Sequence, residues 1–123
     1  MKTEWLRLRS SFRYAATGIA HLFRHERNAR IHLALAVLAV LLALLLGFSR
    51  LEWAVLAMTI GFVFVAEALN TAIEAVIDLV SPDFHLQARV AKDVSAGAVA
   101  MAAIVAVVIA LFLFLPKLLA LFG

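Results

Sequence analysis

The segment Trp53–Asp78 reads WAVLAMTIGFVFVAEALNTAIEAVID, and it indicates the environment in which the chain folds. Its first half, Trp53–Ala66, carries no charge. Its second half carries four polar side chains spaced three, four and four residues apart, which we call the polar stripe: Glu67, Asn70, Glu74 and Asp78. At about 100° per residue of α-helix, they lie within an arc of about 80°. The segment therefore predicts one long helix that crosses lipid and leaves it with one polar face.

The composition indicates that lipid surrounds most of the chain. Of the 123 residues, 66% are hydrophobic and 15% are charged, with a mean hydropathy of +1.05. A soluble domain has about a quarter of its residues charged, and a chain this short buries little core in water. The absence of cysteine excludes disulfides and thiolate metal sites. The net charge of +3 favours anionic lipid or a phosphorylated ligand, and without a base-reading motif we expect no nucleic-acid partner.

The apolar runs predict an all-α integral membrane protein with a single domain over residues 1–123. An amphipathic interfacial helix is expected over residues 1–28, because Trp5, Phe12 and Ile19 recur at helical spacing. Three membrane helices are expected over about residues 31–48, 52–80 and 86–115, each close to the roughly 20 residues that a span needs. Pro82 ends the second span, because proline cannot continue a helix.

The distribution of lysine and arginine predicts the orientation in the membrane. Nine of these 11 residues precede the first span or lie between the apolar parts of the second and third membrane helices, and only Arg50 and Lys117 lie on the other side. Because positive residues concentrate in cytoplasmic loops, we expect the N-terminus and the second loop to be cytoplasmic. At 1.5 Å per residue, Glu67 then lies about 22 Å along its helix from Glu52, near the cytoplasmic interface.

The polar residues near this interface indicate chemistry. A carboxylate at the lipid boundary is costly and therefore rarely incidental. Two carboxylates and an amide on one helix face suggest a general base, an orienting group and a metal ligand. Carboxylates suit Mg²⁺ shared with substrate phosphates, and Lys92, at the start of the third membrane helix, suits a phosphate. No glycine-rich loop of the P-loop or protein-kinase type is present.

Two motifs at this face resemble the signature of the small prokaryotic lipid kinases, the diacylglycerol kinase and undecaprenol kinase family: Glu67-x-x-Asn70-Thr-Ala-Ile-Glu74-x-x-x-Asp78, and Ala91-Lys92-Asp93. The resemblance covers nearly the whole chain, from about residue 7 to residue 115. It implies a homotrimer in the bacterial plasma membrane, with sites built between neighbouring protomers. It also implies ATP- and Mg²⁺-dependent phosphorylation of a lipid hydroxyl at the cytoplasmic face.

The resemblance assigns roles residue by residue. Glu67 matches the catalytic base, and Asn70 the neighbour that positions the reacting groups. Glu26 and Glu74 match the carboxylates that hold Mg²⁺ with the ATP phosphates. The matches to ATP contacts are Arg7, Tyr14, Glu26, Glu74, Asp83, Phe84, His85, Lys92 and Asp93. The matches to lipid contacts are Arg7, Glu67 and Ala96, where Ala96 departs from the serine of the enterobacterial type.

Several alternatives remain open at this point. The stretch His25–His32 resembles the undecaprenol kinase branch, so undecaprenol is the favoured acceptor and diacylglycerol the alternative. A non-enzymatic membrane oligomer or channel subunit is the other class, but among Leu33–Phe48 and Trp53–Ala66 only Thr59 offers a polar group along the bilayer. Asp78 is interpreted as a structural partner, and the histidines as interfacial residues without chemistry: His21, His25 and His32. An alanine ridge on the third span predicts close helix packing: Ala98, Ala102, Ala106 and Ala110.

Cysteine labelling tests the orientation, because the native chain has no cysteine to interfere. In sealed vesicles, Arg13→Cys and Asp83→Cys should react only with reagent on the cytoplasmic side, and Glu52→Cys only with reagent on the opposite side. Labelling of position 52 from the cytoplasm would reverse the orientation and move the candidate site to the other membrane face.

Overall fold

Four helices account for nearly the whole chain. The computed structural model describes all 123 residues and contains no strand. Helix α1 spans Lys2–His25, α2 spans Arg27–Leu46, α3 spans Arg50–Val80 and α4 spans Leu86–Phe122. Helices α2, α3 and α4 are long and apolar enough to cross a membrane. The expected all-α integral membrane fold with three candidate spans is confirmed.

A tight turn joins α2 to α3 and sets their antiparallel register. Gly47 ends α2 with φ +69°, a left-handed conformation that glycine adopts without steric cost. Ser49 then caps α3: its hydroxyl accepts from the Glu52 N–H at 3.2 Å, and its own N–H donates to Glu52 Oε1 at 3.0 Å. This capping box satisfies two N–H groups that the helix itself leaves free.

The same end of the molecule holds the main apolar cluster. Its buried members come from α2, the turn, α3 and α4: Ala43, Phe48, Leu56 and Phe114. The rings of Phe48 and Phe114 lie 4.9 Å apart. Lys117 completes this contact, because its Nζ lies 3.3 Å from Glu52 Oε1 and 5.7 Å from the centre of the Phe48 ring. Helix α4 is therefore fixed to the α2–α3 turn by both packing and charge.

Two helix boundaries differ from the expected ones. The interfacial helix ends at His25, and the extended backbone of Glu26 separates α1 from α2, whereas one element over residues 1–28 was expected. Helix α4 continues through Pro116 to Phe122 instead of ending near residue 115. Proline is tolerated inside membrane helices because neighbouring groups and local adjustments satisfy the freed carbonyl, and leucine and alanine, which are good helix formers, make up most of the residues that follow Pro116.

The outer surface of the molecule is strongly apolar. Only 11 of 123 residues are buried, and most large hydrophobic side chains of α2, α3 and α4 face outward. An apolar surface of this extent is not stable in water. Lipid therefore covers the spans, and the fold depends on it.

Candidate functional site

The site is built around the break between α1 and α2. Glu26 has extended backbone, with φ −100° and ψ 112°, so its side chain leaves the chain between two helices. Arg30 holds this break, because its Nη1 donates to the carbonyls of Arg24 at 2.8 Å and Phe23 at 3.2 Å. The Phe23 ring also packs edge-on against Phe64 of α3 at 5.4 Å. The break therefore lies beside the part of α3 where the polar stripe begins.

Glu67 is the buried member of the stripe. Its side chain is 2% exposed, and its Oε1 lies 3.2 Å from Nε2 of His32 on α2. The angles of this contact are not those of a hydrogen bond, so Oε1 has no hydrogen-bond partner. Glu26 and Glu74 lie close enough for their charges to act on Glu67. Glu67 is thus placed beside one imidazole and near two other carboxylates.

Asn70 connects the stripe to α4 through a residue that the sequence analysis missed. Ser95 is 6% exposed, and its hydroxyl donates to Asn70 Oδ1 at 2.7 Å. The Asn70 amide nitrogen faces Glu74 Oε1 at 3.4 Å. The Glu74 carboxylate only accepts hydrogen bonds, so it sets which end of the amide faces it. The Ser95 hydroxyl, which also lies 3.1 Å from the Lys92 carbonyl, holds the other end of the amide against α4. Its neighbour Ala96, which the sequence resemblance singled out, is exposed.

The sequence did contain a signal for Ser95. It lies three residues after Lys92 and is the first hydroxyl residue inside the third apolar run. A helix places residues three apart on the same face, so a serine at this spacing belongs to the side of α4 that carries the lysine.

The charged groups at the end of α3 and the start of α4 form ion pairs. Lys92 Nζ pairs with Asp78, the last member of the stripe, and joins α4 to α3. Asp93 pairs with Arg89 one turn earlier on α4, at 3.2 Å and in an exposed position. The interpretation of Asp78 as a structural partner agrees with this pairing. Because the Lys92 and Asp78 side chains are both partly exposed, the lysine can exchange this carboxylate for another anion.

The loop between α3 and α4 orients the start of α4. Helix α3 ends at Val80, immediately before Ser81 and Pro82, as expected. His85 caps α4, because its Nδ1 accepts from the Gln87 N–H at 3.1 Å. Phe84 is exposed. One nitrogen of His85 is therefore engaged in the cap, and the other faces away from it.

Arg7 and Tyr14 lie far from these groups within one chain. At 1.5 Å per residue, they lie about 28 Å and 18 Å along α1 from Glu26. Helix α1 contacts α2 and α3 but makes no close contact with α4. One chain therefore does not bring these two side chains beside Lys92 and Asp93.

The carboxylates do not form a closed metal cage. No three His, Asp or Glu side chains converge closely enough to hold a metal ion alone. This arrangement fits Mg²⁺, which commonly takes one or two carboxylates, with substrate phosphates and water as its other ligands. Glu26 and Glu74, both near Glu67, are the two residues that would hold it.

Comparison with known proteins identifies the family. Residues 13–114 match the family described as prokaryotic diacylglycerol kinase. The chain belongs to this family. It is 46% identical over 112 residues to the diacylglycerol kinase of Synechocystis sp., which covers 90% of this chain but 64% of that relative. It is 40% identical over 117 residues to the undecaprenol kinase of Bacillus subtilis, covering 95% of each.

A third relative is more distant. The diacylglycerol kinase of Escherichia coli is 31% identical over 106 residues, covering 86% of this chain and 87% of that relative. All three relatives are named as kinases of a lipid alcohol. These names place the chain among the lipid kinases.

Removal of the Ser95 hydroxyl should slow turnover without unfolding the protein. In Ser95→Ala, Asn70 Oδ1 loses its donor on α4, so only Glu74 holds the amide and its position is less well defined. Loss of one neutral hydrogen bond predicts a fall in kcat of about 2- to 10-fold. Steady-state kinetics in detergent micelles would measure it.

Ser11→Ala is the matched control for this substitution. The Ser11 hydroxyl is exposed and donates only to the carbonyl of Arg7. Its loss should leave kcat unchanged. Equal rates for wild type and Ser95→Ala would show that Ser95 does not orient the amide.

Proposed function

We propose that this protein is an ATP- and Mg²⁺-dependent lipid kinase that phosphorylates a lipid hydroxyl at the cytoplasmic face of a bacterial plasma membrane. The observation that carries the proposal is the position of Glu67. It is a buried carboxylate that directly follows the uncharged part of α3, and the more exposed groups suited to a nucleotide lie farther along the same helix and on α4. The N-terminus is cytoplasmic in this proposal, as the positive residues predict.

The chemistry requires a base, because a lipid alcohol does not ionise near neutral pH. Glu67 accepts the hydroxyl proton as the alcohol oxygen bonds to the γ-phosphorus of ATP. The bond from that phosphorus to the bridging oxygen breaks, and ADP leaves. Lys92 neutralises phosphate charge after it exchanges Asp78 for the nucleotide, and Asn70 orients the reacting groups beside Glu74. Mg²⁺, when bound by Glu26 and Glu74, supplies further charge neutralisation.

An apolar cleft supports a lipid as the acceptor. It has a volume of about 530 Å³ and lies between α2, α3 and α4, with hydrophobic residues at 19 of its 21 lining positions. His32, the neighbour of Glu67, is one of its two polar lining residues, and Thr59 is the other. A chain lying in this cleft would bring its polar end to Glu67.

Undecaprenol is the favoured acceptor. The relative named undecaprenol kinase matches 95% of its own length, and Ala96 departs from the serine of the enterobacterial type. Diacylglycerol is the second candidate, because the Synechocystis relative with 46% identity is named diacylglycerol kinase. An apolar cleft selects a lipid tail mainly by its length and shape. Assays with each lipid therefore decide between the two acceptors.

A homotrimer is part of the proposal. Arg7 and Tyr14 match ATP contacts, yet α1 carries them away from Lys92 of the same chain. A neighbouring protomer would supply them across an interface. The outward-facing apolar surface of the spans provides area for such contacts.

A channel or other non-enzymatic oligomer is less well supported. A polar path through the bilayer needs polar side chains along its length. In the apolar part of α3 the only candidate is Thr59, and its hydroxyl already donates to the Val55 carbonyl at 2.7 Å.

Side-by-side assays test the activity and the acceptor together. Purified protein should transfer the γ-phosphate of ATP to undecaprenol faster than to diacylglycerol in the presence of Mg²⁺. Glu67→Gln should retain its helical content and ATP binding but lose about 10²- to 10⁴-fold in kcat, the range expected for loss of a general base. Near-normal turnover of Glu67→Gln would remove Glu67 from the mechanism, and no transfer to either lipid would refute the proposed function.

Mixed oligomers test whether sites are shared. Arg7→Ala and Glu67→Gln, each expected to have low activity alone, should recover activity when coexpressed, because some sites then combine an intact Arg7 from one chain with an intact Glu67 from its neighbour. Random mixing in equal amounts predicts about one quarter of the sites intact. Glu26→Gln mixed with Glu67→Gln is the control and should recover nothing, since these residues lie near each other in one chain.

A further inference from the structure

The contact between His32 and Glu67 is the only ion pair or hydrogen-bond contact that joins α2 to the polar stripe. Nε2 of His32 lies 3.2 Å from Oε1 of Glu67, and the His32 side chain is 21% exposed while that of Glu67 is 2% exposed. From the sequence alone, His32 is interpreted as an interfacial residue and is assigned no chemistry. It is nevertheless the polar side chain in contact with the proposed catalytic base.

The geometry of the antiparallel pair explains why the two side chains meet. His32 lies about 21 Å along α2 from Leu46, and Glu67 about 26 Å along α3 from Arg50, at 1.5 Å per residue. Side chains of a helix lean toward its N-terminus. The N-terminus of α2 is at the site, so the His32 side chain leans away from the α2–α3 turn. The N-terminus of α3 is at that turn, so the Glu67 side chain leans toward it. The two side chains therefore approach each other although their backbones lie at different distances from the turn.

A buried carboxylate needs a donor, because an unpaired buried charge is expensive. The other groups around Glu67 do not supply one. Glu26 and Glu74 are carboxylates and act on it only by repulsion when ionised. The Asn70 amide nitrogen faces Glu74. His32 on α2 is the remaining side chain with an N–H that reaches Glu67.

We propose that His32 is a positioning residue, which donates Nε2–H to Oε1 of Glu67 and so aims Oε2 at the lipid hydroxyl. This inference rests on the proposed kinase function. The contact already has the required distance but not the required angle. Hydrogen bonds of catalytic groups are often poorly aligned in free proteins and tighten in the complex with substrate. In the proposed complex, rotation of the imidazole ring aligns the N–H with Oε1.

The position of His32 on the cleft couples this alignment to the acceptor. The ring lines the apolar cleft between α2, α3 and α4. A lipid tail in the cleft would limit the rotation of the ring, while the lipid hydroxyl approaches the free oxygen of Glu67. Binding of the lipid therefore aligns Glu67 with the hydroxyl group that Glu67 deprotonates. ATP binding, which involves groups nearer to the cytoplasm, does not depend on the ring.

Two substitutions separate the donor from the ring. His32→Gln keeps an N–H near the position of Nε2, and His32→Leu removes it with a similar side-chain volume. A hydrogen bond to a charged group predicts a fall in kcat of about 10- to 100-fold for His32→Leu, with the KM for ATP unchanged. His32→Gln should recover to within about 3-fold of wild type, since one donor replaces another. His21→Leu is the control and should behave as wild type, because His21 stacks on His25 in α1 and does not touch Glu67.

A double variant completes the test. If His32 acts through Glu67, adding His32→Leu to Glu67→Gln should cause little further loss, because effects on one functional unit are not additive. A full second loss, or equal damage by Gln and Leu at position 32, would overturn the positioning role. If the wild type is active and the His32 variants are equally active, this inference alone is refuted. If the wild type is inactive with every lipid, the proposed function is refuted.

Discussion

The short turn between α2 and α3 sets the level of every polar group at the opposite end of the spans. Gly47 reverses the chain, and the Ser49–Glu52 capping box satisfies two N–H groups at the start of α3. Lys117 then ties α4 to the same point through Glu52. Helices rise by a fixed amount per residue. Because the three helices are held together at this turn, the side chains that lie at the same height about 20 Å away are determined. The contact of His32 with Glu67 depends on this register.

Helix α3 passes through two environments, and its polar stripe changes character along the way. Glu67 is buried and depends on protein groups for partners, while Asp78 is exposed and pairs with Lys92. The first environment strengthens electrostatic effects, and the second allows exchange with soluble anions. A reaction between a lipid hydroxyl and a soluble nucleotide needs both conditions within one site. A single continuous helix provides them at a fixed separation.

The break at Glu26 determines what one chain can and cannot assemble. Arg30 holds the end of α1 through two carbonyl contacts, so the direction of α1 is set at the break. That direction leaves Arg7 and Tyr14 without contact to α4. A nucleotide site that uses these residues must span two chains.

The sequence by itself determined the spans, the end of α3 before Pro82 and the common face of Glu67, Asn70 and Glu74. These features are local: an apolar run sets the environment, proline stops a helix, and a helix fixes the angle between its own side chains. Local rules predict a helix boundary less well where other groups can satisfy the carbonyl that a proline frees. The sequence therefore did not predict that α4 continues through Pro116. Counting the rise per residue from the α2–α3 turn places His32 and Glu67 at similar heights. This count requires the register of the two helices, which the sequence does not specify.

Tertiary structure alone decided the pairs that join different helices: His32 with Glu67, Ser95 with Asn70, and Asp78 with Lys92. Each pair depends on the rotation of one helix about its axis relative to the next. In α2, hydrophobic residues surround most of the helix, so the sequence does not mark which face turns inward. Packing at the α2–α3 turn and along the α3–α4 pair selects that rotation, and with it the partners of the proposed base.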